Sequence, residues 1–319
     1  MAVLALDLGG TKLSAAIVES TGEVLERDVF LLEGRGGKEV GALIRSAAER
    51  TRERAIRRGL PLEAVGMCVP GISHPETVWA PNIPGWDEYP LLGEMRSVFP
   101  AGTIPVRIDS DRACAILGEV WQGAARGCRD AIFLVVGTGI GAGILAGGTV
   151  LRGAHDIAGA IGWLALDRPF EENYVRCGCF EYHASGEGLA KSAREYAGHR
   201  EGYRGPLAEI PGRKVTTRDV FEAYDAGDPV ARRVVSEAIE FWGMATANLV
   251  SLFNPEKIIF GGGVFGPGLR FLDAIRAEAG KWAQPISIGK VSIEGSKLGT
   301  DAVLYGAAYL ALQGPAHLS

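Results

Sequence analysis

Two stretches of this chain run from an apolar strand through a glycine-rich turn and directly into a second strand. They are ALDLGGTKLSAAIVES at 5–20 and LVVGTGIGAGILAGG at 134–148. The dinucleotide-binding fingerprint and the P-loop both need a helix immediately after their glycines, so neither motif fits. A glycine turn of this kind is often only a hairpin turn, but it can also present successive backbone N–H groups to an anion. Two such turns therefore predict a site for the phosphates of one nucleotide.

Around these turns, strand and helix patterns alternate, which predicts an α/β fold. Strands are expected at 2–8, 14–18, 64–69, 106–108 and 257–260, a second hairpin at 131–150, and ordered loops with short strands at 73–105. Helices are expected at 38–58, 111–125, 186–197, 217–226, 229–253, 267–281 and 302–312.

The composition argues against several classes of protein. A net charge of −5 over 319 residues gives no basic footprint for nucleic acid or for an anionic membrane. The most apolar run, 241–253, is too short to span a bilayer, and no signal-peptide pattern opens the chain. The five cysteines are odd in number and mostly isolated, as expected of reduced thiols. We therefore expect a cytoplasmic protein that binds neither nucleic acid nor membrane.

The first turn carries the residue types that phosphoryl transfer needs. Asp7 interrupts an apolar strand, where an unpaired carboxylate is costly and a bound Mg²⁺ ion or its waters would satisfy it. Thr11 and Lys12 add a hydroxyl and a cation at the same turn. A carboxylate for the metal with amides and a lysine for phosphate indicates a phosphotransferase.

Six motifs in order along nearly the whole chain resemble those of the ROK family of sugar kinases. They are DLGGTK at 7–12, VPG at 69–71, PNIPGW at 81–86, GTGIGAGI at 137–144, NPEKIIFGGGV at 254–264 and SKLGTDAVLYGAA at 296–308. The resemblance implies an actin-like ATPase (ribonuclease H-like) fold with two lobes and a central cleft. It implies a small lobe of 1–118 plus 301–319, a large lobe of 119–300, and a homodimer.

The same resemblance implies that ATP with Mg²⁺ binds at the glycine turns. Asp7 would hold the Mg²⁺, directly or through water. The residues expected at the nucleotide are Gly9, Gly10, Thr11, Lys12, Gly137, Thr138, Gly139, Gly261, Gly262 and Gly263.

The family's catalytic aspartate follows an asparagine and stands eight residues before a glutamate. Here Ser110-Asp111 stands eight residues before Glu119, so Asp111 is the expected general base, with Asp109 as a competitor. The alternative is that Asp111 simply caps the helix that begins there, and both roles are compatible.

The sugar-binding pattern of the family is only partly kept. The resemblance places Asn82, Ser110, Asp111, Ala160, Trp163 and Glu181 at the sugar. The family's glutamate and histidine are replaced by Ala160 and Trp163, and its asparagine by Ser110, so hydrogen-bonding groups are lost and an indole is gained. We expect a substituted or deoxygenated sugar rather than the ordinary recognition of glucose.

The family's zinc cysteines are reduced to Cys177 and Cys179 in CGCFE, which lacks CxxC spacing. His183 and His155 are possible further ligands, but two thiols one residue apart fall short of a tetrahedral set, so we expect no structural zinc.

The leading hypothesis is an ATP-dependent kinase that phosphorylates a hexose or related sugar at O6. Two alternatives belong to other classes. A sugar-responsive repressor of this family carries a helix-turn-helix domain before the first phosphate turn, and here that turn begins at residue 7. A non-catalytic sugar-sensing protein would fit the altered sugar pocket, but it would have no need for Asp7, Lys12 and Asp111.

Overall fold

The computed structural model describes residues 1–208, 210 and 213–313. The strands are β1 (Ala2–Leu8), β2 (Lys12–Glu19), β3 (Val24–Leu31), β4 (Leu62–Val69), β5 (Ile72–Ser73), β6 (Val78–Trp79), β7 (Val106–Ser110), β8 (Ala131–Val136), β9 (Ile140–Ala146), β10 (Thr149–Val150), β11 (Lys257–Gly261) and β12 (Ser292–Gly295). The α-helices are α1 (Gly37–Arg57), α2 (Leu91–Val98), α3 (Asp111–Gln122), α4 (Cys179–Ala184), α5 (Gly186–His199), α6 (Thr217–Asp225), α7 (Pro229–Phe253), α8 (Leu272–Trp282), α9 (Pro285–Lys290) and α10 (Ala302–Leu312).

Two five-stranded sheets have the same strand order. The first is β3-β2-β1-β4-β7 and the second is β10-β9-β8-β11-β12. In the first sheet, β1 pairs antiparallel with β2 and parallel with β4, and in the second β8 pairs parallel with β11. The two sequence hairpins are therefore the β1–β2 and β8–β9 connections, each at the same place in its sheet.

By its internal contacts the chain divides into two compact units. The first comprises 1–127, 143–158 and the described part of 301–319, and the second comprises 128–142 and 159–300.

Helix α10 fixes the position of α3 in the first unit through backbone contact at glycines. A Cβ atom at Gly118 of α3 would lie 2.0 Å from the carbonyl oxygen of Ala302, and one at Gly306 would lie 1.7 Å from that of Cys114. Only glycine allows so close an approach. The start of α3, where Asp111 lies, is thereby held on a rigid element.

Several elements were missed or misjudged in the sequence analysis. The edge strand β3 and the helix α2 were not predicted, because β3 is rich in charged residues and α2 lies between Pro90 and Pro100. The predicted helix at 267–281 is instead a 3₁₀ segment, Pro267–Phe271, followed by α8. The short elements α4, α9 and β12 were also missed. None of the described helices has the length and apolar character needed to cross a membrane.

Candidate active site

The β1–β2 turn of the first unit leaves two successive amides available. The amide of Gly9 donates to the carbonyl of Lys12 at 2.9 Å and closes the turn. Within the part of the chain that the structure describes, the N–H groups of Gly10 and Thr11 have no acceptor, and both residues are exposed. The turn therefore has the amide arrangement that an anion-binding nest requires.

Asp7, two residues before this turn, is held by a thiol. The Cys68 Sγ–H donates to Asp7 Oδ1 at 3.0 Å, and β1 and β4 place the two residues opposite each other in parallel register. Burial raises the pKa of Asp7, although the thiol and Lys12 oppose that rise. A half-buried carboxylate with its second oxygen uncommitted among the described residues is a suitable Mg²⁺ ligand.

Asp111 does not need to cap α3, because Ser110 does. Ser110 is the N-cap residue, and its Oγ accepts from the amide of Ala113 at 3.2 Å. The Asp111 carboxylate accepts from the amide of Arg112 at 2.8 Å. Burial raises the pKa of Asp111 to about 6, the charge on Asp7 adds to that rise, and the Arg112 cation opposes it. A carboxyl with such a pKa is deprotonated near neutral pH yet more basic than an ordinary aspartate.

Asp109, the alternative candidate for the general base, already has partners for both carboxylate oxygens. Its Oδ2 forms a short ion pair with Arg152, its Oδ1 accepts from the amide of Ser110 at 2.8 Å, and it is buried. Glu119 is fully buried and accepts from the amide of Ala124 at 2.6 Å. Both carboxylates support the backbone around α3, whereas Asp111 keeps its charge available.

The loop that carries Asn82 packs against the first turn. A Cβ atom at Gly10 would lie 3.6 Å from Asn82 Cβ, and Asn82 is exposed. Trp86 is buried, stacks on Tyr89 at a centroid distance of 4.4 Å, and donates to the carbonyl of Gly37 at 3.1 Å. Trp86 therefore fixes the loop.

The β8–β9 turn of the second unit repeats the arrangement of the first. The amide of Gly137 donates to the carbonyl of Gly139 at 2.9 Å, and the carbonyl of Gly137 accepts from Gly186 at 2.8 Å. The amides of Thr138 and Gly139 have no acceptor among the residues described. Each of the two turns thus offers a pair of neighbouring N–H groups.

The Glu181 side chain contacts the end of this second turn, at Gly139 and Ile140. Its Oε2 accepts from the amide of Ile140 at 2.6 Å, and a Cβ atom at Gly139 would lie 2.6 Å from the same oxygen. Burial raises the pKa of Glu181. Its other carboxylate oxygen has no hydrogen bond within the described residues. Ala160 is half-buried, and Trp163 is 57% exposed in the 3₁₀ segment Ile161–Trp163.

A cavity of about 720 Å³ in the second unit adjoins the same turn. Gly137, Thr138 and Gly186 line it at one side, and Phe221 and Val264 supply apolar surface. Three ion pairs lie on its wall, namely Glu187–Arg194, Arg218–Glu222 and Asp225–Arg270. An apolar surface next to a phosphate-binding turn suits the base and ribose of a nucleotide.

The three glycines at the end of β11, Gly261 to Gly263, have different environments. Gly263 lines the cavity. Gly261 and Gly262 instead pack on β8, since a Cβ atom at Gly261 would lie 2.3 Å from the Phe133 ring and one at Gly262 2.4 Å from the carbonyl oxygen of Val136. Gly262 also has φ +86°, which favours glycine.

No group of three or more possible metal ligands from His, Cys, Asp and Glu occurs in the described ranges. Cys177 is half-buried and Cys179 is buried. His183 Nε2 hydrogen-bonds the Tyr174 hydroxyl at 2.8 Å, and its ring stacks on Phe241 at 4.5 Å. The His183 side chain is therefore engaged in a hydrogen bond and in aromatic packing.

Sequence reasoning missed most of the cavity wall. Residues 214–218 and Arg270 belong to no motif that we recognised. One signal was present: Thr216 and Asp219 form a capping box at the start of α6, which marks an ordered helix start beside the cavity.

The two repeated sheets and the paired turns define the class of protein: an α/β phosphotransferase with the actin-like ATPase fold. Comparison with known proteins agrees, because the ROK family matches residues 3–314. The glucokinase of Halalkalibacterium halodurans is 31% identical over 97% of this chain and 94% of its own. The bifunctional enzyme NanE/NanK of Brucella melitensis is 36% identical over 97% of this chain, which spans 54% of that longer protein.

A solved structure gives the same result. The ROK family glucokinase from Streptomyces griseus, in complex with glucose and AMPPNP, aligns over 98% of this chain and 100% of its own, with 29% identity and a TM-score of 0.77. The chain therefore belongs to the ROK family and is a sugar kinase, a phosphotransferase with an alcohol acceptor.

Proposed function

We propose that the protein transfers the γ-phosphoryl group of ATP to the O6 hydroxyl of a hexose or related sugar, with Asp111 as general base. The observation that carries the proposal is the position of Asp111. It lies at the first residue of a rigid helix, relieved of capping by Ser110, with a pKa of about 6 and with Asp7 near enough to raise that pKa.

The nucleotide is proposed to bind through both turns and the cavity of the second unit. The amides of Gly10, Thr11, Thr138 and Gly139 supply donors for phosphate oxygens, and Lys12 supplies a cation. The base and ribose enter the cavity beside Phe221 and Val264. The AMPPNP bound to the Streptomyces griseus relative supports ATP as the donor here.

The Mg²⁺ ion that accompanies ATP would be held by Asp7, directly or through water. The residues fit, because one Asp7 oxygen is fixed by Cys68 and the carboxylate is half-buried, so a cation would offset its desolvation. An Mg²⁺ ion held by Asp7 would neutralise negative charge on the phosphates.

Asp111 is proposed to orient the acceptor oxygen in line with the γ-phosphorus and to accept its proton. The transition state of phosphoryl transfer is loose, so positioning contributes more than proton abstraction. Exclusion of water from the site would limit wasteful hydrolysis of ATP.

The acceptor is proposed to be a sugar with a substituent or a missing hydroxyl. Asn82 next to the first turn and the uncommitted oxygen of Glu181 remain available to hydroxyl groups. Exposed Trp163 offers an indole face to the C–H side of a sugar ring or to an apolar substituent. Plain glucose as the best acceptor by kcat/KM would contradict this part of the proposal.

The test is phosphate transfer from ATP to a panel of glucose, mannose, deoxy sugars and N-acetylated hexosamines, with the product located by ³¹P NMR. Asp111→Ala should lose activity by about 10³-fold or more, since it removes the base and its orientation. Asp273→Ala, an exposed aspartate on α8, is the matched control and should retain activity. A panel in which wild type transfers nothing, while it binds sugar, would favour the non-catalytic alternative.

We further propose a cytoplasmic homodimer that uses exposed apolar side chains of the second unit. Leu252 on α7, Trp282 on α8 and Ile286 on α9 are 72%, 63% and 65% exposed, and these three helices pack against one another. Exposed large apolar side chains on adjoining helices are typical of an association surface.

A further inference from the structure

The wall of the cavity in the second unit contains one side chain that the function proposed above does not use. Arg270 lines the cavity, and its Nη1 atom forms an ion pair with Asp225 at 2.9 Å. Its Cζ atom lies over the rings of Phe271, Phe221 and Tyr224, at 4.9, 5.7 and 5.7 Å from the centroids. A guanidinium fixed by a carboxylate and by aromatic rings stays in one place, so it can serve as a binding surface.

Helix α6 separates this guanidinium from the phosphate-binding turn. Thr217 Oγ1 donates to the carbonyl of Gly186 at 2.6 Å, and the amide of Gly186 donates to the carbonyl of Gly137 in the turn at 2.8 Å. Thr217, Phe221 and Asp225 recur every four residues along α6, and all three line the cavity. With a rise of about 1.5 Å per residue, Asp225 lies about 12 Å from Thr217 along the helix axis. The cavity therefore extends from the turn to the Asp225–Arg270 pair.

The chain after β11 follows the same course. It begins next to Gly186, because a Cβ atom there would lie 3.4 Å from Val264 Cγ2. Val264, Pro267 and Arg270 then line the cavity in chain order. Both walls start beside the turn and meet at the Asp225–Arg270 pair, so a nucleotide with its phosphates at the turn would extend its base toward Arg270.

The hydrogen-bonding side chains on the α6 wall have partners within the protein. They are Thr216 (Asp219), Thr217 (the carbonyl of Gly186), Arg218 (Glu222) and Asp225 (Arg270). This wall therefore offers a base the face of a guanidinium and no uncommitted side-chain donor or acceptor for its edge. Stacking depends on the π face that every base has, whereas strong rejection of an analogue needs hydrogen bonds to an edge.

We propose that the base of the nucleotide donor stacks on the guanidinium of Arg270. This inference rests on the kinase function proposed above and names the class of donor: a purine nucleoside triphosphate, with adenine and guanine both accepted. Purines are favoured over pyrimidines because their larger rings cover more of the guanidinium. Arg270 is thus a residue that determines donor specificity and takes no part in the transfer itself.

The experiment measures the binding of ADP, GDP, CDP and UDP, each with Mg²⁺ and without sugar, by isothermal titration calorimetry. Wild type should bind ADP and GDP within about five-fold of each other, and both at least about five-fold more tightly than CDP and UDP. Arg270→Ala should bind ADP and GDP about ten-fold more weakly and lose the preference for purines. Arg270→Lys should bind ADP as weakly as Arg270→Ala, because an ammonium keeps the charge but has no planar face.

Arg233→Ala is the matched control. The Arg233 Cζ atom also lies over an aromatic ring, 3.9 Å from the Tyr196 centroid, and its Nε atom pairs with Glu237 at 2.9 Å. This arginine is outside the cavity wall, so its loss should leave all four affinities unchanged. Thermal unfolding of the three variants checks the fold.

Four results would overturn the inference. In the first, Arg270→Ala binds ADP as tightly as wild type. In the second, all four diphosphates lose the same affinity in Arg270→Ala, and Arg270 then acts on the phosphates as a charge. In the third, Arg270→Lys restores the affinity for ADP. In the fourth, wild type shows no purine preference or separates ADP from GDP by more than about five-fold. Because no acceptor is present, failure of phosphate transfer would refute the proposed kinase function without changing these affinities.

Discussion

Three consecutive polar residues at the junction of β7 and α3 have three different roles. Asp109 is paired with Arg152, and Ser110 caps the helix. Asp111 has neither of these roles and is the proposed general base. If Asp111 capped the helix, the amides at the helix start would lower its pKa and weaken it as a base. Ser110 takes the cap, and burial is the largest influence on the pKa of Asp111, although the hydrogen bond from the Arg112 amide opposes it.

Asp111→Asn should abolish activity and also stabilise the fold. Burial raises the pKa of Asp111 to about 6, so the folded protein binds this proton more tightly than the unfolded chain does. The charged form therefore destabilises the fold progressively as the pH rises from about 4 to about 6. The gain from removing the charge should be absent below pH 4 and reach at most about 3 kcal/mol above pH 6.

Urea unfolding of wild type and Asp111→Asn at several pH values, without nucleotide or metal, measures this difference. A stability gain that is the same at pH 4 and pH 8 would show that lost charge is not its cause. Asp273→Asn, at an exposed position on α8, is the control and should give no pH-dependent difference.

Arg152→Ala should destabilise the first unit, because it leaves Asp109 buried without its ion-pair partner. Breaking one partner of a buried pair costs about 3 kcal/mol, and the partial exposure of Arg152 should reduce that figure. In the double variant Asp109→Asn/Arg152→Ala, no charge stays uncompensated, so stability should partly return. Additive losses in this cycle, measured by urea unfolding, would mean that the two side chains do not interact.

At the scale of elements, the sequence predicted what local chemistry determines. The two strand–turn–strand units, the start of α3 and the start and end of α7 were all predicted. In α7, Asp228 caps the helix, Pro229 opens it, and Asn254 ends it at φ 45°. Each of these features depends on residues close together in the chain.

What the sequence did not predict depends on tertiary packing. Strand β3 was missed because its half-exposed, charged residues pair with β2 at a sheet edge and give no apolar run. The cavity wall joins residues near 137, 186, 217 and 264, which share no local pattern. The resemblance to the ROK family and the actin-like fold were both correct, since they rested on motifs in order along the whole chain.

The capping box of α6 should affect nucleotide binding, because Thr216 and Thr217 both line the cavity. Thr216 Oγ1 accepts from the amide of Asp219, and Asp219 accepts from the amide of Thr216. Thr216→Ala should cost about 1 kcal/mol of stability and raise the KM for ATP, with the KM for sugar unchanged.

The matched control is Asp228→Ala, which removes the cap of α7 and leaves the cavity wall intact. It should destabilise the protein without raising the KM for ATP. Equal changes of this KM in both variants would mean that general loss of stability, and not the α6 start, affects the nucleotide.

At the scale of the whole molecule, the exposed apolar side chains of α7, α8 and α9 predict association. Trp282→Glu and Ile286→Glu should convert a dimer into a monomer, because a charge buried at an apolar interface is costly. Light scattering after gel filtration measures the mass. Val175→Glu, at a side chain that is 59% exposed and lies outside this surface, is the control. A wild-type monomer at all concentrations would contradict the dimer.

The repeated sheet order gives the final prediction, because it places one turn with two uncommitted amides in each unit. The amides of Gly10 and Thr11 and those of Thr138 and Gly139 lack acceptors in the described structure, so they should exchange hydrogen quickly without ligand. A non-hydrolysable ATP analogue with Mg²⁺ should slow exchange in peptides from both turns, 5–20 and 134–148, since phosphate oxygens become acceptors for these groups.

ADP lacks the γ-phosphate, so with ADP the protection should weaken in at least one of the two peptides. Peptides from α8 should show no change with either nucleotide. Protection confined to one turn with the ATP analogue would mean that the two turns, despite equivalent places in their sheets, do not share the binding of one triphosphate.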